Sequence, residues 1–254
     1  MEIKLIIKHW LPYSISTLLF VSFIISCALQ KDEAQEIVNK TIEVHGGSNY
    51  NTVMISFDFR DKKYTARISN GKFKYTRAFE DSLGMVLDVL DNNGFTRFIN
   101  EKEVALSEDW EKKYSNSVNS VIYFAIMPNP LNDPAVNKQL IGEDTIAGNL
   151  YNKIKVTFAK IGGGEDFNDN FIFWIHKQNF TIDFFAYDYE TEGGGSRFRK
   201  AINPQRIGGI LFLDYINYEP IAEAPLENYH LLYQDQQLKE VSVISLKNIK
   251  VDQL

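Results

Sequence analysis

Only one cysteine, Cys27, occurs in 254 residues, so no disulfide can form within the chain. Basic charge is also short: 27 Lys and Arg stand against 33 Asp and Glu, a net charge of −6. No stripe of cations is available to neutralise phosphates, which argues against a nucleic-acid partner. Anionic lipid heads would gain no electrostatic hold either. His45, His176 and His230 lack metal-ligand spacing and are read as packed or surface residues. Glu165, Asp166, Asn168 and Asp169 follow three glycines but lack calcium-loop spacing, and are read as a solvated hairpin tip. There is no G-x-S-x-G, and the glycine runs do not open helices after strands, so neither a nucleophile elbow nor a phosphate cradle is expected. Asp58, Asp61, Asp81 and Asp88 lie on or near strands, but nothing fixes the separation that paired-carboxylate catalysis needs. No metal and no cofactor is expected.

Long apolar runs are limited to one, residues 11–25 (LPYSISTLLFVSFII). It is shorter than the ~20 residues a membrane helix needs, and Gln30-Lys31-Asp32-Glu33 stops its extension. Lys4 and Lys8 precede it, and Ile24-Ile25-Ser26-Cys27 ends it in the pattern of a lipobox. Cleavage is expected between Ser26 and Cys27, with the Cys27 thiol as the site of lipid attachment. One acyl chain holds a protein to a membrane only marginally, whereas two or three make the attachment lasting. QKDE behind the cysteine resembles the acidic export tag of surface lipoproteins of the Bacteroidota; Asp32 and Gln35 also have capping-box spacing. The expected division is a signal peptide over 1–26, a lipidated tether over 27–33 and one β-rich domain over 34–254. Removing residues 1–26 takes away Glu2, Lys4 and Lys8, a net +1, so the remaining 228 residues carry −7. That length buries a sizeable core without disulfides or metals.

Within the domain the apolar period changes twice. Ala34, Ile37, Val38, Ile42 and Val44 form a helical stripe that Gly46-Gly47 ends. Alternation of period two follows, in Ile55/Phe57/Phe59, Tyr64/Ala66/Ile68 and Phe73/Tyr75/Arg77/Phe79, then in Met85–Leu90 and Phe95–Ile99, with turns at Asn70-Gly71 and Asn92-Asn93-Gly94. Val104–Leu106 adds a short strand. A second helix starts behind Ser107 and carries Trp110, Tyr114, Val118, Ile122 and Ala125, before Pro128, Pro130 and Pro134 close it. Strands return over 138–142, 150–158, 171–175, 182–189, 197–202 and 210–218. Residues 226–238 are a short helix or an ordered excursion, and 241–251 one last strand. The sum is a mainly β (α+β) fold: a curved antiparallel sheet or incomplete β-barrel of about ten strands, with an N-terminal and a mid-chain helix packed on it.

The segments ISFDFRDKKY, NSVNSVIYFA, GGGEDF and GSRFRKA resemble an uncharacterised lipoprotein family of the Bacteroidota, a domain of unknown function, over nearly the whole mature chain. More distantly, the helix ending in His-Gly-Gly and the meander broken by a helical segment resemble the LolA/LolB-like lipoprotein-carrier fold, over residues 33–60 and 140–218. That resemblance implies an apolar cavity for acyl chains. Some relatives carry an aldolase label, which requires a (β/α)₈ barrel and an activated lysine that strands following strands do not provide.

Aromatic residues at alternating strand positions serve equally as packed core or as cavity lining. Phe57, Phe59, Phe73, Tyr75, Phe171 and Phe173 are the candidate ligand-binding rings. Arg77, Arg97 and Arg199 fall within strands where arginine is unexpected, and either snorkel to a rim or meet an anionic head group. The leading expectation is a non-enzymatic, lipid-anchored envelope protein of the outer membrane, on its outer surface or periplasmic face. It would hold an apolar or amphiphilic ligand in a half-barrel cavity, for lipid or lipoprotein handling. The alternative is a surface lipoprotein with a solid core that binds an outer-membrane protein partner; an enzyme of unknown class comes third.

Overall fold

Two seven-stranded antiparallel sheets, joined by a corner of two residues, make up most of the chain in the computed structural model. The structure describes residues 33–160, 168–190 and 193–254. The lipobox with Cys27, the capping residue Asp32, and Gly162–Phe167 with Glu165 and Asp166 lie outside the described residues.

Helix α1 spans residues 33–45. Its apolar stripe, Ala34, Ile37 and Val38, is buried with Thr41, while Glu36, Asn39 and Lys40 face water. Gly46 ends it because a side chain there would meet the Tyr50 ring at 2.6 Å, and Gly47 follows at φ +54°. Two long-range contacts fix that end. Arg206 Nη2 donates to the Val44 carbonyl at 3.0 Å, and the Ile182 amide donates to His45 Nε2 at 3.3 Å.

A meander then runs through β1 (Thr52–Phe59), β2 (Lys62–Ser69), β3 (Lys72–Asp81), β4 (Gly84–Asp91), β5 (Gly94–Ile99) and β6 (Lys102–Val104). Alternation places Val53, Ile55, Phe57, Tyr64, Ala66 and Val86 inward, while Lys63, Arg67, Met85 and Leu87 face out. Helix α2 (Glu108–Ala125) crosses the inner face, burying Val118 and Ile122 against those side chains. Its first turn holds Glu108, Asp109 and Glu111, where carboxylates favour the helix dipole.

The second sheet runs through β7 (Val136–Ile146), β8 (Asn149–Phe158), β9 (Phe171–His176), β10 (Ile182–Tyr189), β11 (Gly195–Ile207), β12 (Ile210–Pro220) and β13 (Leu238–Ile244). Both of its faces are covered at the central strand β9. Phe171, Phe173 and Ile175 pack inward with α1, Met127 and Leu131. Ile172 and Trp174 pack outward under Leu226, Tyr229 and helix α3 (Tyr229–Gln234). This explains why β9 is buried from Phe171 to Ile175 without alternation.

The last strand expected over 241–251 is two strands. β13 ends the second sheet, and β14 (Lys247–Gln253) pairs with β1 in the first. Ser245 and Leu246 make the corner, held by Asp214 on β12, which accepts from Ser245 Oγ (2.8 Å), the Leu246 amide (3.1 Å) and Asn203 Nδ2 (3.2 Å). The strand total is fourteen among the described residues, against about ten expected; each segment of alternation forms its own strand, including the short β6, and the final one splits in two. Neither sheet closes on itself, so the curved, incomplete-barrel architecture is that expected from the sequence. Among the described residues no helix is long and apolar enough to cross a membrane.

Candidate functional site

The inner faces of the two sheets diverge beyond the C-terminal half of α2, leaving a cavity of about 470 Å³. Val121, Tyr123, Phe124 and Ala125 of α2 form one wall. Phe158, Phe171, Tyr187, Arg199, Leu213, Tyr215, Ile244 and Leu246 form the opposite one, with Phe59 and Arg60 of the β1–β2 turn at the rim. Rings supply much of the lining. Phe124 lies 5.9 Å from Phe185, 5.4 Å from Tyr187 and 6.2 Å from Phe171 between ring centroids. Concave, mostly apolar sites of this size with a few polar groups are the usual form of small-molecule pockets.

Three polar atoms in this lining are buried with no hydrogen-bond partner: Arg199 Nε, Tyr123 Oη and Asn217 Oδ1. Buried polar groups are ordinarily satisfied, so three around one cavity are an exception; Tyr123 lies on the α2 wall, Arg199 on the opposite one, and all three atoms are sealed from solvent. Arg199 is the most exceptional. It is 7% exposed and donates from Nη2 to Tyr187 Oη at 2.8 Å. Its guanidinium carbon lies 4.1 Å from the Phe124 ring centroid and 5.1 Å from that of Tyr187. Burial pushes the Arg199 pKa below its ordinary value, and pushes the Tyr123 and Tyr215 hydroxyls well above theirs.

The candidates named from sequence divide. Phe59, Phe171 and Arg199 line the cavity. Phe57 and Tyr75 pack in the core under α2, and Phe173 packs beneath α1. Phe73 sits against Tyr75 at 4.7 Å, near the turn end of β3. Arg77 and Arg97 lie away from the cavity, on either side of Asp88, which is fully buried. Arg77 donates to Asp88 Oδ2 from Nε (2.8 Å) and Nη2 (2.6 Å), and from Nη1 to Ser117 of α2 (2.7 Å). Arg97 donates from Nε to Oδ1 (2.6 Å) and from Nη2 to Oδ2 (3.0 Å), and stacks 3.4 Å above Tyr114. This triad ties α2 to the first sheet.

Sequence reasoning did not single out Tyr123, Phe124, Tyr187, Tyr215 or Asn217 as lining. One signal was available: α2 carries Tyr123-Phe124 at its end, just beyond the Val118/Ile122 core stripe. No group of His, Cys, Asp or Glu suited to a metal occurs among the described residues.

No curated protein matches the chain. Among solved structures, a DUF1329 family protein from Desulfovibrio piger superposes with a TM-score of 0.54 at 10% identity, covering 88% of this chain and 93% of its own; the likeness is one of fold. A LolA superfamily protein from Nitrosomonas europaea gives 0.49 at 14% identity, covering 87% and 94%. Residues 14–245 match the model of a family of unknown function, DUF6503, and the chain belongs to that family.

Proposed function

We propose that this protein is a non-enzymatic lipoprotein of the cell envelope that holds an apolar or amphiphilic ligand between α2 and the second sheet. Cys27 is the anchor, and lipid or lipoprotein handling at the outer membrane is the role. The observation that carries the reading is the 470 Å³ aromatic cavity with unsatisfied polar atoms on its wall. A solid core would have filled it, since protein interiors pack with few voids larger than a water molecule. The lipobox supports the envelope location, because it places every later residue within a tether's length of a bilayer.

Native mass spectrometry of the Cys27→Ser chain purified from the soluble fraction of bacterial cells tests this. A bound species that solvent extraction releases as one class of amphiphile is expected; a chain that is always ligand-free, even after incubation with envelope lipids, contradicts it. One feature favours the second reading, a partner-binding lipoprotein. Leu83, Met85 and Leu87 are 66%, 52% and 38% exposed at the β3–β4 turn and on the outer face of β4. Crosslinking on intact cells that captures one outer-membrane protein through this face would establish it.

A further inference from the structure

We infer that the cavity is a receptor for a single-chain anionic amphiphile, whose oxyanion meets Arg199 while its chain fills the space beside α2. The inference rests on the ligand-holding reading above and specifies its chemical class.

Among the described residues, a counter-charge is what Arg199 lacks. The other two buried arginines, Arg77 and Arg97, share one carboxylate, Asp88. Arg199 is as deeply buried, yet no carboxylate oxygen of a described residue lies within 4.0 Å of its guanidinium. Its hydrogen-bond partner is a neutral phenol, Tyr187, and its Nε has none. Rings of Phe124, Tyr187 and Phe185, at 4.1, 5.1 and 5.4 Å, offset part of the desolvation through their π faces. Nη2 is engaged by Tyr187 and Nε is sealed from solvent, so the Nη1 edge is the one left to meet an oxyanion, through a charge-assisted contact roughly twice as strong as a neutral one. An unpaired buried cation is strongly unfavourable, so its retention on a cavity wall points to a charge that arrives with the ligand.

Size limits the remainder of the molecule. At ~30 Å³ for a water-sized group, 470 Å³ holds about 15 non-hydrogen atoms. One acyl chain of moderate length matches that volume, and a bulkier ligand would extend out through the open mouth. Leu213, Ile244, Val121 and Phe158 add apolar surface to the aromatic lining, while Asn119, Ser120, Asp169 and Ser242 add polar groups to it.

The shared chemistry, an oxyanion on one alkyl chain, has two sources: a fatty acid and a phosphate amphiphile. Titration of the full chain carrying Cys27→Ser with laurate, dodecanol and dodecyl phosphate separates them. At least one of the two anions is expected to bind ten-fold or more tightly than dodecanol, and the tighter anion identifies the source. Arg199→Met is expected to bring anion and alcohol to equal affinity, with Arg199→Lys keeping part of the preference. Equal binding of alcohol and anions by the unsubstituted cavity overturns the inference and leaves the ligand-holding reading standing. Binding of none of the three removes both. An anion preference that survives in Arg199→Met overturns the inference as well, and the comparison in the unsubstituted cavity needs no variant to fold.

Discussion

Arg77, Arg97 and Arg199 show how three arginines of similar appearance in sequence differ in the fold: the first two flank Asp88, and the third bonds to Tyr187. Arg77 and Arg97 are the direct cross-strand neighbours of Asp88 on β3 and β5. Their pairing follows from the register of two tight hairpins, and Asn92-Asn93-Gly94 marks one of these in the sequence. The other turn, Ser82-Leu83, carries no strong signal, so the triad was not legible as such. Replacing Asp88 by Ala leaves two guanidiniums buried without a counter-charge and should destabilise the protein by roughly 3–5 kcal/mol, read from urea unfolding. His45 supplies a second residue-scale expectation. Burial, with Arg206 nearby, lowers its pKa from 6.5 to about 4. The unfolded chain therefore binds a proton that the folded chain refuses between those values. Stability from the neutral imidazole is complete above pH 6.5, falls as the pH drops towards 4, and falls no further below that. Between pH 7.5 and 5 this amounts to about 2 kcal/mol, and His45→Gln should remove that share of the slope in parallel unfolding curves.

The elements most plainly written in the sequence are those with one covered face. β1 to β5 alternate because α2 covers the inner side and water the outer, and the α1 stripe follows the helical period. β9 is different: FIFWIH has no alternation, and a continuous apolar run of that kind does not say which residues face the cavity. Phe171 and Phe173 point the same way and both pack in the cluster that holds Ala34, Ile37 and Val38 of α1, yet only Phe171 also lines the cavity. The corner between β13 and β14 was also hidden, since Val241 to Val251 has the composition of one strand. Asp214 makes it a corner by accepting one hydrogen bond each from Ser245 and Leu246, and a third from Asn203 on β11. Asp214→Ala should therefore destabilise by roughly 1–3 kcal/mol, and hydrogen exchange should show the loss concentrated in β14 and β1. A uniform increase in exchange across both sheets would mean that Asp214 does not act as a local clasp.

At the scale of the whole molecule, a sheet bent at that corner encloses two helices incompletely, and the shortfall is the cavity. Among the described residues, fourteen strands and two long helices leave the space beyond Tyr123-Phe124 unfilled. Composition alone could not reveal this, because the rings that line a cavity and those that fill a core obey the same alternation. The anchor is a separate claim at this scale. Cys27→Ser removes the thiol, and the protein should move from the membrane pellet to the soluble fraction on sedimentation; unchanged sedimentation would contradict lipidation. The ligand-holding claim is tested most directly by titrating a fluorescent anthroyloxy fatty acid into the Cys27→Ser chain and into the same chain with Leu213→Trp. One saturable site is expected, lost when the indole fills the cavity while circular dichroism stays unchanged. Absence of saturation, or equal binding by the filled variant, would contradict the account.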